Sequence, residues 1–383
     1  MSIKKTISLS IKTLIAASFC LCPIKKNKIV MESFGGKNFS DNPKVIALEI
    51  VKQKKPWDVV WLSLEKPEDL PEEIRWVKYG TIKALYEWGT ARVWIDNVRH
   101  QFRPIKRKKQ YYIQTWHGAF SLKCIEKDAE DKLDKEYVKS AKKDGYLTDA
   151  IISSCKFYDD IYSKSFWLNE HTEILKTGSP RNDALFQLMD NNQTAKSVRA
   201  RLNLGTDTFV VLYAPTFRDD HTLDGYIKTF DSIVMAFENR FKRKCIVLIR
   251  MHPNVSDQGE VYQSSDKIIN VSNYPDAQEL AFASDCVISD YSSIMFDFLF
   301  LHKPVFVCAL DIEKYNETRG LLPVIYQLPW VINQSNKELE NSILSYDEKK
   351  YHSQVSSFLE KYPFYDDGKA SERIVFKLQS ILE

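Results

Sequence analysis

Two histidines occupy positions from which an imidazole could take part in catalysis. His117 follows the apolar run 111–114, and His252 follows the apolar run 245–249. Short apolar runs of this kind are typical of buried parallel strands, and open α/β sheets bind ligands beyond the carboxyl ends of their strands. Histidine, with an ordinary pKa of about 6.5, suits proton transfer at neutral pH. The sequence therefore predicts one histidine at a ligand-facing edge in each half, a layout suited to catalysis in a cleft between two domains.

Residues 289–293 indicate a phosphate site in the second half. They lie between the strand-like run 286–288 and the apolar helical segment 294–301. A helix N-terminus offers unpaired N–H groups and a partial positive charge, to which Ser292 and Ser293 could add hydroxyl donors. The alternative that these serines only cap the helix stays open, because serine is a common N-cap residue.

Three further strand ends carry residues suited to an anionic ligand. Thr216 and Arg218 follow one strand-like run, Arg181 follows another, and the Gly35-Gly36 pair follows the first. A guanidinium can contact phosphate through two N–H groups, and glycine lets a ligand approach the backbone closely. A surface arginine and a tight turn remain the alternatives at these positions.

These features together fit phosphoryl transfer, which needs positioning, charge neutralisation and a base for the attacking hydroxyl. No DxD-like pair of carboxylates stands at the predicted strand ends. We therefore expect neither a metal ion nor a cofactor in the reaction.

The elements that must position these residues alternate along the chain. We predict strands at 28–31, 58–64, 92–95, 111–114, 150–154, 173–177, 209–213, 245–249, 267–271, 286–289 and 304–309. We predict helices at 43–53, 81–88, 131–143, 156–166, 231–241, 276–284, 292–301, 350–361 and 369–382. The polar segment 191–203 is predicted to carry the interdomain connection and the first helix of the second half. Alternation of this kind implies parallel sheets with helices on both faces. The predicted fold class is α/β, with two doubly wound, Rossmann-like domains facing each other across a cleft.

The length of 383 residues accommodates two domains, each with its own core. We predict an N-terminal domain at 24–190 and a C-terminal domain at 191–383, preceded by a helix within residues 1–23. Apolar residues recur at helical spacing in that first segment, which is too short and too interrupted to span a bilayer. A helix packed on the domain and a helix lying on a membrane surface are both compatible with this pattern.

Charge and cysteine content narrow the class of protein. The net charge is only +3, so no strong field of the whole molecule is expected, but a basic run spans residues 99–109. Such runs are usually solvated surface, and this one favours an anionic partner for the N-terminal half, such as a phosphate polymer, an acidic lipid or a nucleic acid. Seven cysteines without a C-x-x-C pair suggest neither a disulfide framework nor a zinc site, and a reducing cytoplasm fits best.

Six short motifs occur in an order that resembles a known family. They are Trp116-His117-Gly118, Gly178-Ser179-Pro180-Arg181, Tyr213-Ala214-Pro215-Thr216, Met251-His252-Pro253, Ser289-Asp290-Tyr291-Ser292-Ser293 and Arg319-Gly320. As an ordered set they resemble the CDP-glycerol glycerophosphotransferase family, which contains teichoic-acid primases and polymerases and their capsule relatives. The likeness runs from about Ser33 to about Gly320.

The resemblance implies a GT-B fold, with the acceptor bound by the N-terminal domain and the nucleotide donor by the C-terminal domain. It implies that His117 deprotonates an acceptor hydroxyl and that His252 stabilises the donor diphosphate. Further groups on the donor and phosphate side would be Thr216, Arg218, Ser289, Asp290, Ser292, Ser293 and Arg319. Those on the acceptor side would be Gly35, Gly36, Gly118 and Arg181.

The implied reaction moves glycerol phosphate, or a related polyol phosphate, from CDP-glycerol or CDP-ribitol to a lipid-linked or polymeric glycan, with release of CMP. The resemblance also implies a cytoplasmic protein bound peripherally to the inner face of the cell membrane, with no nucleic-acid partner. Two other classes stay open. One is a GT-B glycosyltransferase that uses a nucleotide sugar, and the other is a non-catalytic, membrane-associated protein that binds an anionic polymer.

Overall fold

The computed structural model describes residues 3–100, 102–117, 120–187, 192–218, 225–251, 262, 264–274 and 276–383. The described chain forms two compact units, each built around one sheet. Unit 1 comprises residues 1–119, 125–183 and 364–383, and unit 2 comprises residues 120–124 and 184–363. Each unit is described by itself below.

Unit 1 contains a seven-stranded, wholly parallel sheet. Its strands are β1 (Lys25–Met31), β2 (Asp58–Ser63), β3 (Arg75–Lys78), β4 (Ala91–Asp96), β5 (Tyr111–Gln114), β6 (Ala150–Ile152) and β7 (Glu173–Leu175). They are arranged in the order β3-β2-β1-β4-β5-β6-β7. The helices of this unit are α1 (Ile3–Ser18), α2 (Asp41–Lys52), α3 (Ile82–Thr90), α4 (Lys135–Leu147), α5 (Lys156–Ser165) and α14 (Ala370–Leu382).

Unit 2 contains a six-stranded parallel sheet. Its strands are β8 (Phe209–Tyr213), β9 (Cys245–Ile249), β10 (Ile268–Asn270), β11 (Cys286–Ser289), β12 (Val305–Cys308) and β13 (Ile332–Asn333), in the order β10-β9-β8-β11-β12-β13. Its helices are α6 (Asp183–Gln187, which begins at the unit boundary), α7 (Asn192–Arg201), α8 (Asp231–Phe241), α9 (Ala277–Ala283), α10 (Ile294–Phe300), α11 (Ile312–Thr318), α12 (Asn336–Leu344) and α13 (Glu348–Lys361).

The sheet of unit 1 is buried on both faces, which explains the continuous apolar runs in its central strands. On β1, Ile29 and Met31 belong to one apolar cluster, whereas Val30 belongs to the cluster on the opposite face. The first cluster also contains Ile374 and Leu378 of α14. Because successive side chains of a strand point to opposite faces, each face needs its own helical cover.

The predicted fold class, α/β with two doubly wound parallel sheets, is confirmed. All eleven predicted strands are present, with ends that shift by up to three residues. Strand β3 was not predicted because it is a short edge strand whose Arg75 and Lys78 are exposed. Strand β13 has only two residues, so it leaves no recognisable periodicity. Helices α6, α11 and α12, all of them short, were also missed.

The division into units differs from the predicted domain boundaries in three places. Unit 2 begins again at Ala184, whereas the prediction ended the N-terminal domain at residue 190. The prediction assigned all of 191–383 to the C-terminal domain, but residues 364–383 pack in unit 1. Asp183 explains part of this difference, since its carboxylate accepts hydrogen bonds from the backbone N–H groups of Ala370 and Ser371 at the start of α14. The prediction also placed residues 120–124 in the N-terminal domain, whereas they pack in unit 2.

The predicted helix within residues 1–23 is present as α1. It contacts α3, and its Ala16 is buried. Ile11, Leu14 and Leu21, by contrast, are 51%, 72% and 90% exposed. Within the described residues, no helix is long and apolar enough to cross a membrane.

The basic run at 99–109 is largely internal, so its interpretation as a surface for an anionic partner was wrong for most of its members. Arg99 and Arg103 are buried and ion-paired with carboxylates, and Lys106 pairs with Asp149. Arg107 donates to backbone carbonyls, including that of Cys20. Only the adjacent Lys108 and Lys109 are exposed basic side chains of the described run. The order of charges along the sequence does not show that carboxylates from distant parts of the chain pair with these basic side chains.

Candidate active site

The strand order of unit 1 reverses between β1 and β4, and their carboxyl ends form the edge where open α/β sheets bind ligands. The segment 32–36 follows β1, Asn97 follows β4, and residues 115–117 follow β5. Hydrogen bonds join these loops, since the N–H of Phe34 donates to Asn97 Oδ1 over 2.8 Å. Predicted candidates from two different loops, Gly35-Gly36 and His117, are thereby brought to one edge of the sheet.

His117 is exposed, and one of its ring nitrogens is fixed by the backbone. Nδ1 lies 2.8 Å from the carbonyl oxygen of Asn97. A carbonyl can only accept a hydrogen bond, so the proton must be on Nδ1 and, in the neutral ring, the lone pair on Nε2. This is the tautomer in which Nε2 can take a proton from a hydroxyl group.

Aromatic rings hold the plane of the His117 imidazole. The indole of Trp116 stacks on it, with centroids 4.5 Å apart, and the ring of Phe34 lies 5.7 Å away. Trp116 and Phe34 have φ values of 50° and 48°, a left-handed conformation that is uncommon for bulky residues. Strain of this kind persists where surrounding contacts impose it, and it is often found at functional sites.

The two glycines after β1 have different environments. Both have a left-handed φ, 69° at Gly35 and 78° at Gly36. The N–H of Gly36 donates to Glu32 Oε2 over 2.7 Å, so this donor is already used inside the protein. A Cβ at Gly36 would lie 2.6 Å from Tyr79 Cγ, whereas one at Gly35 would meet nothing within 4 Å. Of the two glycines, Gly35 therefore has free space beside its Cα, and Gly36 does not.

A buried group of charges lies beneath this edge. Glu32 Oε1 is 2.5 Å from His100 Nε2, and Asp96 Oδ2 is 2.6 Å from Arg103 Nη2. Burial raises the pKa of Asp96 to about 6, against the opposing effect of Arg103. Burial alone would lower the pKa of His100, but Glu32 and Asp96 outweigh it and raise that pKa above its ordinary value. Asp96 and His100 therefore hold their protons more tightly than the same side chains would in water.

Among the described residues, Glu32, Asp96 and His100 also meet a geometric criterion for a metal site, with candidate ligand atoms within 4.8 Å of one another. The carboxylate of Asp96, however, already accepts from Arg103, Tyr112 and Gln114. A guanidinium 2.6 Å from one ligand oxygen opposes a second cation at that position. The contacts of Asp96 are therefore those of a hydrogen-bonded ion pair with Arg103 rather than those of a metal ligand.

Arg181, the predicted acceptor-side arginine, is half-buried beside the start of α2. Its Nε lies 3.5 Å from Asp41 Oδ2, and its backbone N–H donates to Asn42 Oδ1 over 2.9 Å. The loop that carries it is held by the segment before α14, because the N–H of Ser179 donates to Asp366 Oδ1. Its role toward an acceptor stays a prediction.

The sheet of unit 2 also reverses its strand order, between β8 and β11. Six of the predicted donor-side residues lie at or beyond the carboxyl ends of these two strands, namely Thr216, Arg218, Ser289, Asp290, Ser292 and Ser293. The N–H of Thr216 donates to Asp290 Oδ1 over 2.8 Å, and the hydroxyl of Ser289 donates to the carbonyl of Ala214. Asp290 and Ser289 are each 1% exposed. They join the two loops, and Thr216 Oγ1 lies buried between these contacts without a hydrogen-bond partner.

Arg218 lies inside unit 2, where it is 4% exposed, rather than on a surface facing a phosphate. Its guanidinium pairs with Asp290 and Asp311 at 2.9 Å and 2.7 Å. Burial opposes the charged form, but these two carboxylates outweigh it and raise the pKa of Arg218. The rings of Tyr291 and Tyr315 flank the guanidinium. Arg218 therefore holds three loops together, and a direct contact with phosphate is not the function these contacts indicate.

The remaining donor-side candidates are more accessible. Ser292 and Ser293 are half-buried, and Ser293 precedes α10 without a capping hydrogen bond from its side chain. The alternative that these serines cap the helix is therefore not supported at Ser293, but Ser292 Oγ accepts from the N–H of Ile294, the first residue of α10, over 3.4 Å. Arg319 is half-buried at the end of α11. His252 and Gly118 lie outside the described residues.

Two asparagines of unit 1 escaped the sequence analysis. Asn97 is fully buried at the end of β4, and Asn42 is 1% exposed in the first turn of α2. Asn42 donates to the carbonyls of Thr115 and Trp116 over 3.3 Å and 3.1 Å. Their position directly after a strand and at a helix start was the available signal, but asparagine is common in such turns for purely local reasons.

Comparison with known proteins places the chain in a class. A solved structure of the wall teichoic acid polymerase TagF superposes with a TM-score of 0.82 at 30% identity, covering 99% of this chain and 95% of that one. A teichoic acid poly(glycerol phosphate) polymerase of Staphylococcus epidermidis is 33% identical over 92% of the chain, which spans 50% of that relative's length. A teichoic acid glycerol-phosphate transferase of Staphylococcus aureus is 30% identical, with 97% of this chain and 98% of the relative covered.

The fold and the site define an α/β protein of the kind found in teichoic-acid transferases. The model of the CDP-glycerol:poly(glycerophosphate) glycerophosphotransferase family matches residues 14–380. The chain belongs to this family, as the resemblance of its motifs predicted.

Proposed function

We propose that the protein transfers glycerol phosphate, or a related polyol phosphate, from a CDP-alditol to a hydroxyl of a teichoic-acid-type polymer and releases CMP. Family membership supports the reaction class. Relatives named for glycerol phosphate and for ribitol phosphate both match the chain, so glycerol and ribitol are the two polyols that we propose. A variant of TagF was solved after a soak with CDPG, which supports a CDP-linked donor for the family.

The observation that carries the proposal is the hydrogen bond from His117 Nδ1–H to the carbonyl of Asn97. It directs the basic Nε2 of an exposed imidazole away from the sheet. In the proposed step, Nε2 takes the proton of the acceptor hydroxyl as its oxygen bonds to the β-phosphorus of the donor. The bond between that phosphorus and the bridging oxygen breaks, and CMP leaves with the oxygen.

On the donor side, we assign the phosphate contacts to those predicted residues that are partly exposed. Ser292 and Ser293 can donate hydroxyl hydrogen bonds beyond β11, and Arg319 can supply positive charge. Asp290 and Arg218 support these loops from the interior through their ion pair. His252 keeps its predicted role as a group that stabilises the donor diphosphate.

The decisive experiment is a donor screen that measures release of CMP from CDP-alditols and release of UDP from UDP-sugars. CDP-glycerol, CDP-ribitol and UDP-sugars would be offered to the protein together with a glycerol-phosphate-primed acceptor. Turnover confined to a CDP-alditol is expected. Turnover of UDP-sugars alone would show a glycosyltransferase instead, and binding of the acceptor polymer without any turnover would show a non-catalytic protein.

The role of His117 is tested by His117→Ala. We expect the turnover rate to fall about 100-fold or more, as for the loss of a general base, while the Kd for the CDP-alditol stays within about 2-fold. His171, which is exposed in the same unit, provides the matched control as His171→Ala. Turnover at the wild-type rate in His117→Ala would remove His117 from the proposed mechanism.

We also propose that the exposed apolar face of α1 lies on an acidic membrane surface. Leu14 is exposed on α1, Leu21 is exposed in the 3-10 turn 19–21 that follows it, and the exposed Lys25 and Lys26 come next in the chain. Apolar side chains combined with nearby lysines are typical of helices that bind anionic lipid.

Leu14→Glu with Leu21→Glu should reduce sedimentation with liposomes that contain acidic lipid, without abolishing turnover of soluble substrates. Leu344→Glu, at a 48% exposed leucine of α12, is the control that should sediment like the wild type. Unchanged sedimentation of the double variant would contradict a membrane contact through α1.

A further inference from the structure

The conformation that presents His117 depends on a strained residue. Trp116 has a φ of 50°, and a bulky residue adopts this region only where other contacts over-determine it. Its N–H donates to Gln114 Oε1 over 2.8 Å, which fixes one side of the residue to β5. The other side, the carbonyl of Trp116, accepts from Asn42 Nδ2 over 3.1 Å.

The side chain of Asn42 has a partner at each of its hydrogen-bonding positions. Nδ2 donates to the carbonyls of Thr115 and Trp116, and Oδ1 accepts from the N–H of Arg181. One buried amide in α2 thus fastens the loop after β5 to the loop after β7. A buried amide with both of its N–H groups and its oxygen hydrogen-bonded is suited to fixing backbone positions.

A second asparagine continues the connection to the imidazole. Asn97 accepts the Nδ1–H of His117 with its carbonyl, while its side-chain Nδ2 lies 3.2 Å from Asp41 Oδ1. Asp41 is the residue before Asn42 and accepts the N–H of Asn42 over 2.8 Å. The first turn of α2 therefore reaches His117 by two routes, through the carbonyl of Trp116 and through Asn97.

We infer that Asn42 is a positioning residue for the base: it holds the left-handed turn at Trp116 that places His117 Nδ1 on the carbonyl of Asn97. This inference rests on the proposed function of His117. Asn42 itself would touch neither donor nor acceptor. Its loss would let the imidazole rotate or shift, which affects the rate of the chemical step more than the binding of the donor.

The test compares Asn42→Ala with Asn42→Asp. The alanine variant removes all three hydrogen bonds, while the aspartate variant keeps an acceptor for Arg181 but replaces the donor to Thr115 and Trp116. We expect kcat to fall about 10-fold to 100-fold in both, with the KM for the CDP-alditol within about 2-fold, because a small misplacement of a reacting group has effects of this size. If the alanine variant does not fold, the aspartate variant, which has the same volume, gives the same test.

Asn169 offers a matched control in the same unit. Its Nδ2 donates to the carbonyls of Tyr146 and Thr148, and its Oδ1 accepts from the N–H of His171, the same pattern as that of Asn42. Asn169 precedes β7 and therefore lies at the amino ends of the parallel strands, whereas His117 lies at their carboxyl ends. Asn169→Ala should therefore keep the wild-type kcat even if its unfolding midpoint falls.

A spectroscopic readout separates positioning from general loss of structure. The ¹⁵N shifts of the imidazole nitrogens report which one carries the proton, and His117→Ala identifies the His117 signals. The wild type should show the Nδ1–H tautomer, and Asn42→Ala should show a mixture of tautomers with an otherwise unchanged spectrum.

Two results would overturn the inference, namely a wild-type kcat in Asn42→Ala, or an equal loss of kcat in Asn169→Ala. Either result, combined with an inactive His117→Ala, would leave the proposed base in place. If His117→Ala is itself fully active, the base assignment fails, whatever the asparagine variants show.

Discussion

At the scale of single residues, the structure separates side chains that can reach a ligand from side chains that support them. Both kinds follow parallel strands, so their sequence positions look alike. Arg218 and Ser293 both follow strands of unit 2 and were both candidates for phosphate binding, yet Arg218 is ion-paired in the interior of that unit. Spacing could predict which loops follow the carboxyl ends of the strands. It could not predict that Asp290 and Asp311 would converge on one guanidinium, because that depends on the packing of three loops.

Arg218→Gln should strongly destabilise unit 2, because it leaves two buried carboxylates without a cation. Breaking a buried ion pair in this way costs about 3–5 kcal/mol. Thermal or urea unfolding would measure the loss. Arg201→Gln, which removes an exposed arginine paired with Glu279, should leave the transition unchanged. A normal transition in Arg218→Gln would mean that the carboxylates find other partners.

The glycines after β1 provide a matched pair of substitutions. Gly35→Ala strains only the left-handed backbone, whereas Gly36→Ala also drives a Cβ into the ring of Tyr79. We expect a loss of about 1 kcal/mol for Gly35→Ala and about 2–4 kcal/mol for Gly36→Ala, since strain and overpacking add. Denaturant unfolding compares them directly. Equal losses would show that Tyr79 moves aside at little cost.

At the scale of elements, helix α14 is attached to unit 1 by a cap from a distant residue. Asp183 accepts from two N–H groups and the hydroxyl of Ser371 at the helix start. We expect Asp183→Ala to lower stability by about 1–2 kcal/mol, the usual effect of losing an N-cap. Hydrogen exchange should show faster exchange in α14. Asp347→Ala, which removes the exposed cap of α13, should leave exchange in α14 unaltered.

Strands and helices could be predicted where the hydrophobic periodicity was strong. The sheet on which a helix packs could not be predicted in the same way. The runs at β8, β9 and β11 were predicted to the residue because each is a buried, uninterrupted strand. Helix α14 was also predicted, yet its sheet was not, because an amphipathic helix fits any apolar face of suitable width. Conformations such as the left-handed Trp116 leave no trace in a pattern of residue types.

At the scale of the whole molecule, the buried charges of unit 1 predict a dependence of stability on pH. The raised pKa of His100 means that its stabilising contribution is complete below the ordinary value of about 6.5 and is lost as pH rises through the folded-state pKa. Asp96, with a pKa raised to about 6 by burial, acts in the same direction at lower pH. We therefore expect the free energy of unfolding of the wild type to decrease above about pH 6.5.

Urea unfolding at several pH values between about 6 and 9 would measure this decrease. His100→Gln removes the titrating ring and should flatten the dependence, even though the variant is less stable at the acid end. His352→Gln replaces an exposed histidine of α13 and should reproduce the slope of the wild type. A steep slope that persists in His100→Gln would assign the titration to another group.

The return of residues 364–383 to unit 1 has a consequence for how the protein acquires its structure during translation. Ile374, Val375 and Leu378 belong to the core on one face of the first sheet, so that sheet stays partly uncovered while the whole of unit 2 is being synthesised. The chain synthesised up to residue 363 therefore contains all of the second unit but not all of the first, the reverse of the usual N-to-C order of domain folding.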